Sequence, residues 1–480
     1  MPWWNEECDT AVKTRRSSFK KAKLTRNLSD CLKYQECKAR ARKVINNAKN
    51  STWQGFCSSV TKDTKLGKVW RIIKKMQGLG GGVKVPTLRK GDDIATANID
   101  KANMLAAQFA KVSSNANFSD TFQAHRRVFE EEQKSILTDK CDVQSPLNED
   151  FTLPELRRAI KQCRDTSPGA DNVCYSMFRK MPTVCMYVVL SLFNAIWAKG
   201  VLPKSWKHSI VTPLVKPGKP SFLPESFRPI ALTSNLSKIM EKLINNRLLW
   251  YLEKEGKLNN IQCAFRKRRC TNDHLIRLHD SVYKSVNNKR SVLAVFIDIE
   301  KAYDMVWRQG LMFKLYHLGI RGKMFWWIRD FLSNRTFLVR IGNTLSDVLT
   351  LENGIPQGSV ISPILFNVMI NDISVSDNSC YVSLFADDCA VWLKGSNTKY
   401  MCTKMQKVLN ELDDWSGKWG FKFSISKTKA VLFTRKLKPA LLDLSLNDSV
   451  IEFVTEFKFL GIIFDAKLSW SKHIDYVVKK

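Results

Sequence analysis

The stretch Tyr381-Val-Ser-Leu-Phe385-Ala386-Asp387-Asp388-Cys-Ala-Val-Trp392 sets two adjacent acids between two apolar runs. Such runs around a short polar break predict a hairpin with Ala386, Asp387 and Asp388 at its tip. Neighbouring carboxylates repel, and each raises the other's proton affinity unless a cation lies between them. An ordinary acidic turn is seldom hemmed in by Leu384, Phe385, Val391 and Trp392. A metal site is the economical reading.

A third acid ends the run Ser291-Val-Leu-Ala-Val-Phe-Ile-Asp298, which continues Ile299-Glu-Lys-Ala-Tyr303-Asp304. The apolar run predicts a buried strand, and a carboxylate at its end is costly unless a metal or a base neutralises it. Taken alone, Asp298 fits equally well as the N-cap of a helix from Lys301 onward. Side by side, the two segments supply three carboxylates from adjacent strands. Hard oxygen ligands suit Mg²⁺, which keeps waters and substrate phosphates in its remaining positions. Two such ions suit nucleotidyl transfer, in which a hydroxyl is activated and a pyrophosphate leaves.

The composition agrees. The chain has 480 residues, a length that favours about three structural units. It carries 77 Lys+Arg against 45 Asp+Glu, a net charge of +32. That excess favours a polyanion partner over simple solubility or attraction to an anionic membrane, because the basic residues run through the whole chain. The 13 cysteines show neither CxxC nor Cys/His knuckle spacing, which fits reduced core residues and excludes a disulfide scaffold or zinc ribbon. The polar, acidic start has no signal-peptide pattern. Val184 to Ala198 is the most apolar stretch; it is too short to span a bilayer and predicts a buried helix. These features predict a soluble intracellular protein.

Along the chain, residues 5 to about 76 predict one or two basic helices ending at Gly78, with Gly78 to Gly82 as a hinge. Val83 to Asp93 predicts a short hairpin and Asn98 to Lys111 a helix. A weakly patterned polar stretch to Asn148 follows, and a helix opens at Asp150 and runs to Cys163. Ser167 to Asp171 reads as a turn. From Pro203 onward, short β-branched runs alternate with longer helical segments. His274 and His279 are the closest histidines and suggest no ligand set.

Gly354-Ile-Pro-Gln357-Gly358-Ser-Val-Ile-Ser-Pro363 lies between the two acid segments, in a loop ahead of a helix starting near Pro363. Together the three resemble reverse-transcriptase motifs A, B and C in that family's order. Phe227-Arg228-Pro229-Ile230-Ala-Leu-Thr and Gln262-Cys-Ala-Phe-Arg266 resemble its fingers motifs. Trp419-Gly-Phe421 with Ser426-Lys427-Thr-Lys429 resembles motif D, and Phe457-Lys-Phe-Leu-Gly461 motif E. The form is closest to non-LTR (LINE-type) retrotransposons and covers about Val201 to Asp465. Ser167-Pro-Gly-Ala-Asp171 resembles the N-terminal extension of that group, with Ala170 where proline is usual. Pro2-Trp3-Trp4-Asn5 resembles the junction after its endonuclease.

The resemblance implies a role for each position. Asp298, Asp387 and Asp388 become ligands of two Mg²⁺ ions, which Mn²⁺ can replace. Tyr303 packs against the sugar, and its ring excludes a ribose 2′-hydroxyl; its structural alternative is a core tyrosine. Gln357, Gly358 and Ile299 lie by the incoming nucleotide. Arg228 and Arg266 face the triphosphate, with Lys267, Arg268 and Arg269 as substitutes. Lys427, rivalled by Lys429, donates a proton to departing pyrophosphate.

The implied fold is α+β, a right-hand polymerase with fingers and an antiparallel palm sheet. Residues 1–82 form a basic helical linker following a missing endonuclease and 83–200 an N-terminal extension. Residues 201–456 form fingers and palm, and 457–480 start a truncated thumb. The implied activity is RNA-directed DNA polymerisation of dNTPs on an RNA template and DNA primer, in a ribonucleoprotein of nucleus and cytoplasm with no membrane contact. Two alternatives stand beside it: an RNA-dependent RNA polymerase, against which Tyr303 speaks, and an inert, truncated RNA-binding remnant. Protein partners are not legible.

Overall fold

A computed structural model describes residues 3–25, 27–59, 61, 85–139, 143–437 and 439–479. The chain divides into two compact units, Met1–Lys84 and Val85–Lys480.

In the first unit, the helices Glu6–Thr25 and Leu28–Ser58 form a hairpin. The Phe19 and Tyr34 rings lie 5.1 Å apart, and Lys49 Nζ sits 4.8 Å from the Trp3 ring. Partners whose positions converge from both ends in this way mark an antiparallel pair. Asn27 caps the second helix by accepting from the Ser29 amide. The expected hinge at Gly78 to Gly82, and the expected helix end there, lie outside the described residues.

The second unit mixes helix and sheet. Its central five-stranded sheet has the order Glu452–Phe453, Lys429–Phe433, Ser291–Asp298, Asp388–Gly395, Tyr381–Phe385. The Asp298 strand runs through the middle, antiparallel to both its neighbours. Its Leu293, Val295 and Ile297 pack into the core containing the helices Ser362–Met369 and Thr398–Trp419. Val292, Ala294 and Phe296 pack the other way, against Leu278 and Val282 of the helix Thr271–Asn287. Both faces are covered, so the strand reads as an unbroken apolar run rather than an alternation. The run stops where the strand leaves the core, at Asp298.

A second sheet joins Phe227–Leu232, His208–Val215, Thr336–Ile341 and Thr344–Leu345, with Leu349–Thr350 beside Thr336–Ile341. The helix Asn98–Val112 covers it, packing Leu105 and Phe109 with Val211, Phe227 and Phe337. The hairpin expected over Val83 to Asp93 occupies Leu88–Lys90 and Asp93–Ala95. The helix expected from Asp150 is Leu153–Gln162, with Thr152 as its cap; Glu155 accepts from the Thr152 amide at 2.9 Å. The weakly patterned polar stretch before Asn148 contains the helix Asp120–Glu132, whose Phe122 and Phe129 meet Trp307.

One expectation is corrected. The apolar helix, Thr183–Lys199, buries Phe193, Ile196 and Trp197 but leaves Val184, Tyr187 and Val188 exposed. One side of the helix, from Met186, Val189 and Leu190 to Phe193, Ile196 and Trp197, packs on the core, and the other stays open. Among the described residues, no helix is long and apolar enough to cross a membrane.

Candidate active site

The acid pair sits where two strands turn. Tyr381–Phe385 and Asp388–Gly395 pair antiparallel, with Phe385 opposite Asp388 and Ala386 and Asp387 as the two-residue link. Ala386 takes φ +54°, a left-handed conformation that costs a non-glycine residue about 1–2 kcal/mol. Its neighbours hold it there. The Ala386 amide donates to Oε1 of the buried Gln262 at 3.1 Å, and the Leu384 amide donates to the Ile261 carbonyl at 2.9 Å. The buried His274 Nε2 lies 2.8 Å from the Leu384 carbonyl.

Pairing with the central strand then sets the third acid. In that ladder Asp388 stands directly opposite Asp298, and every pair from there to Gly395 and Ser291 follows in step. Three carboxylates therefore share one end of the sheet. Among the described residues, no group of three or more acid, His or Cys side chains is placed to hold a metal ion by itself. Mg²⁺ needs fewer protein ligands, since one or two carboxylates are completed by water and phosphate oxygens.

The electrostatics point the same way. Removal from water raises the proton affinity of Asp387, the charge of Asp298 adds to it, and Lys427 and Arg228 offset part. Asp388 is pushed up to about 6 by removal from water and then by the charges of Asp387 and Asp298. Both acids stay open to solvent on one side, so screening tempers these effects. A cation among these oxygens would relieve the crowding that the fold imposes.

The carboxylates lie between two cavities. The larger, about 720 Å³, is lined by Asp298, Asp387, Tyr303, Gln357, Arg228 and Lys427, with Ile299 and Gly358 in its wall. The smaller, about 580 Å³, is bounded by Asp388, Asp298, Lys427, Lys429 and Phe457. Lys427 Nζ pairs with Asp298 Oδ2 at 2.9 Å. Lys429 instead pairs with Glu452 at 2.7 Å. The loop carrying Lys427 is tied to the acid strand, since the Ser424 amide donates to the Asp298 carbonyl at 2.8 Å.

Tyr303 stacks on Phe366, with ring centroids 4.9 Å apart and planes 13° apart. Burial, followed by the Asp387 charge, pushes its phenol well above the usual range, so the ring stays neutral. Gln357 Nε2 donates to both oxygens of Asp304, at 3.0 and 2.9 Å. Burial pushes Asp304 up to about 6, against the pull of the Gln357 bond and of Lys216 and Lys301. Gly358 has φ +105°, and a Cβ there would lie 2.9 Å from the Ala231 carbonyl oxygen.

Arg228 is exposed and lines the larger cavity. Arg266, expected beside it, sits elsewhere. Its guanidinium is buried and makes two 2.7 Å bonds to Glu253, with further bonds to the Asn259 and Gln262 carbonyls. Arg266 thus braces the segment whose Gln262 supports the acid hairpin. Lys216, passed over in the sequence, lines the cavity near Arg228. Burial and then Arg228 lower its proton affinity. Asp304 was likewise overlooked, since nothing in its spacing marks it as the partner of Gln357.

The model of the family described as "Reverse transcriptase (RNA-dependent DNA polymerase)" matches residues 215–464. The chain belongs to the reverse transcriptase family. The probable RNA-directed DNA polymerase from transposon BS of Drosophila melanogaster is 27% identical over 94% of this chain and 50% of its own length. The RNA-directed DNA polymerase from mobile element jockey of the same organism is 30% identical over 67% of this chain and 36% of its own. Such relatives agree with the LINE-type resemblance read from the motifs. The chain thus spans half or less of these relatives' length. Among solved structures, a telomerase from Candida tropicalis with a fragment of telomeric RNA is 12% identical. It has a TM-score of 0.39 and covers 62% of this chain and 49% of that one.

Proposed function

We propose that this reverse-transcriptase chain is the RNA-directed DNA polymerase of a non-LTR retrotransposon, adding dNTPs to the 3′-hydroxyl of a DNA primer paired to an RNA template. The observation that carries the reading is the in-register placement of Asp298 opposite Asp388, with Asp387 in the turn between the strands. In this reading the central sheet is the palm, the second sheet belongs to the fingers, and the hairpin Glu456–Phe459 and Ile462–Asp465 leads towards a thumb. In the same reading the helices Glu6–Thr25 and Leu28–Ser58 belong to a basic linker region, and residues 83–200 to an N-terminal extension.

Asp298, Asp387 and Asp388 would hold two divalent ions, Mg²⁺ or Mn²⁺, which activate the attacking hydroxyl and stabilise the leaving pyrophosphate. The chain's own residues do the rest. Arg228 and Lys216 give the cavity wall positive charge for a triphosphate. The flat Tyr303 ring, fixed by Phe366, forms the surface under the sugar. Gln357, held by Asp304, lines the nucleotide's cavity. Lys427 is within reach of Asp298 and is the candidate proton donor to pyrophosphate. The net charge of +32 fits template and primer binding, within a ribonucleoprotein that works in cytoplasm and nucleus.

Asp387→Asn keeps the size of the side chain and removes the charge. Primer extension by this variant should fall about a thousandfold, several kcal/mol of lost charge stabilisation, with the melting temperature retained. More than about a tenth of wild-type rate would remove Asp387 from the site.

A further inference from the structure

Glu241 lies on the helix Asn235–Lys254, is fully buried, and does not line either cavity. Burying a carboxylate is expensive unless hydrogen bonds satisfy it. Its satisfaction comes largely from one loop. Oε2 accepts from Ser359 Oγ at 2.6 Å and from the Val360 amide at 2.8 Å, while Oε1 accepts from Ser237 Oγ at 3.3 Å. The buried Arg335 and Lys238 feel its charge.

Ser359 and Val360 directly follow Gln357 and Gly358, the loop residues in the cavity wall. The other side of that loop is fixed by the Ala231 amide, which donates to the Gln357 carbonyl at 3.1 Å. Ser359 Oγ also accepts from the Ile361 amide at 3.3 Å, just ahead of the helix Ser362–Met369. Without Glu241, the two donors on the loop, Ser359 Oγ and the Val360 amide, would lose their acceptor, and the loop would move to find another.

We propose that Glu241 is a positioning residue for nucleotide binding: it clamps the Gln357–Val360 loop against the fingers strand Phe227–Leu232 and so fixes where the base and sugar rest. This assignment rests on the polymerase reading above. It separates two tasks within one site, since the clamp acts on the nucleotide's wall and leaves the carboxylates of the palm sheet untouched.

The test compares Glu241→Leu, which fills the volume without an acceptor, with Glu241→Gln, whose Oε1 can receive the same two donors. With poly(rA)/oligo(dT), Glu241→Leu should raise KM for dTTP about tenfold, the equivalent of one lost charge-assisted hydrogen bond. KM for template–primer and kcat should move less than about threefold, and Glu241→Gln should recover most of the loss. If Glu241→Leu does not fold, Ser359→Ala and Ser359→Thr serve instead, the hydroxyl of the second restoring what the first loses. An unchanged KM for dTTP in a folded variant overturns the clamp, as does an equal rise in both KM values with a matching fall in kcat. Amide hydrogen exchange provides a readout independent of turnover, and residues 357–361 should exchange faster in Glu241→Leu. A wild-type protein inactive with dTTP contradicts the polymerase reading, and exchange then decides the clamp alone: unchanged protection refutes it.

Discussion

Gly358→Ala probes the loop in the cavity wall through a single added methyl. The glycine has φ +105°, which an L-residue adopts only at a cost of roughly 1–2 kcal/mol. The new Cβ would also lie 2.9 Å from the Ala231 carbonyl oxygen, a backbone atom that cannot swing aside as a side chain would. Relief requires the loop to retreat, and retreat stretches the 3.1 Å bond from the Ala231 amide to the Gln357 carbonyl, worth about 1 kcal/mol. The total is about 2–3 kcal/mol, expressed in one of two ways. If the loop stays, stability falls by that amount. If it retreats, the nucleotide must push it back, and KM for dTTP rises roughly 30- to 150-fold. Urea unfolding and steady-state primer extension on the same preparation measure both. Stability within about 0.5 kcal/mol of wild type together with KM within twofold would mean that the loop tolerates the methyl without strain or movement.

Tyr303→Val removes the ring beneath the sugar, so the ratio of kcat/KM for dTTP to that for UTP should fall about ten- to hundredfold while dTTP is still used; an unchanged ratio in an active variant makes Tyr303 a core residue only. Asp388 is held up to about 6 in the folded protein, so between about pH 4 and 6 the native state binds more protons than the unfolded chain. Metal-free stability from this group is therefore present below that window and lost as pH rises through it. Mg²⁺, which needs the ionised form, should raise the melting temperature at about pH 7.5 and do so far less at about pH 5. An equal rise at both would exclude these acids as ligands. RNA binding should weaken with salt with a log–log slope of about −4 or steeper if six or more phosphates are contacted, and a slope near zero would rule out a basic channel.

The parts of the fold that sequence discloses are those where one physical demand dominates. The central strand is legible because burial on both faces leaves no polar position from Val292 to Ile297. The acid hairpin is legible because charge beside apolar runs has few structural explanations. Partners distant in sequence are not legible. Arg266 looked like a phosphate ligand only while Glu253, 13 residues earlier on another element, was unassigned as its partner. Nothing in the spacing of Gln357, expected by the incoming nucleotide, marks Asp304 as the acid that holds it. The helix Thr183–Lys199 is apolar enough to be wholly buried, yet one side of it stays exposed, because hydropathy reports what a face could bury and not what packs against it. Glu241 lies amid helical residues with nothing in its spacing to mark it, and its role emerges only where Ser359 and Val360 meet it 118 residues on.

In the proposed function, Asp298, Asp387 and Asp388 serve the copying of RNA into DNA. Primer extension on poly(rA)/oligo(dT) with Mg²⁺, supplying dTTP or UTP to the purified chain and to Asp387→Asn, measures it most directly. Wild type should extend with dTTP and little with UTP, extension should stop when the metal is chelated, and Asp387→Asn should give none above background. A wild-type chain that prefers UTP, or extension that survives Asp387→Asn undiminished, would contradict the proposed function.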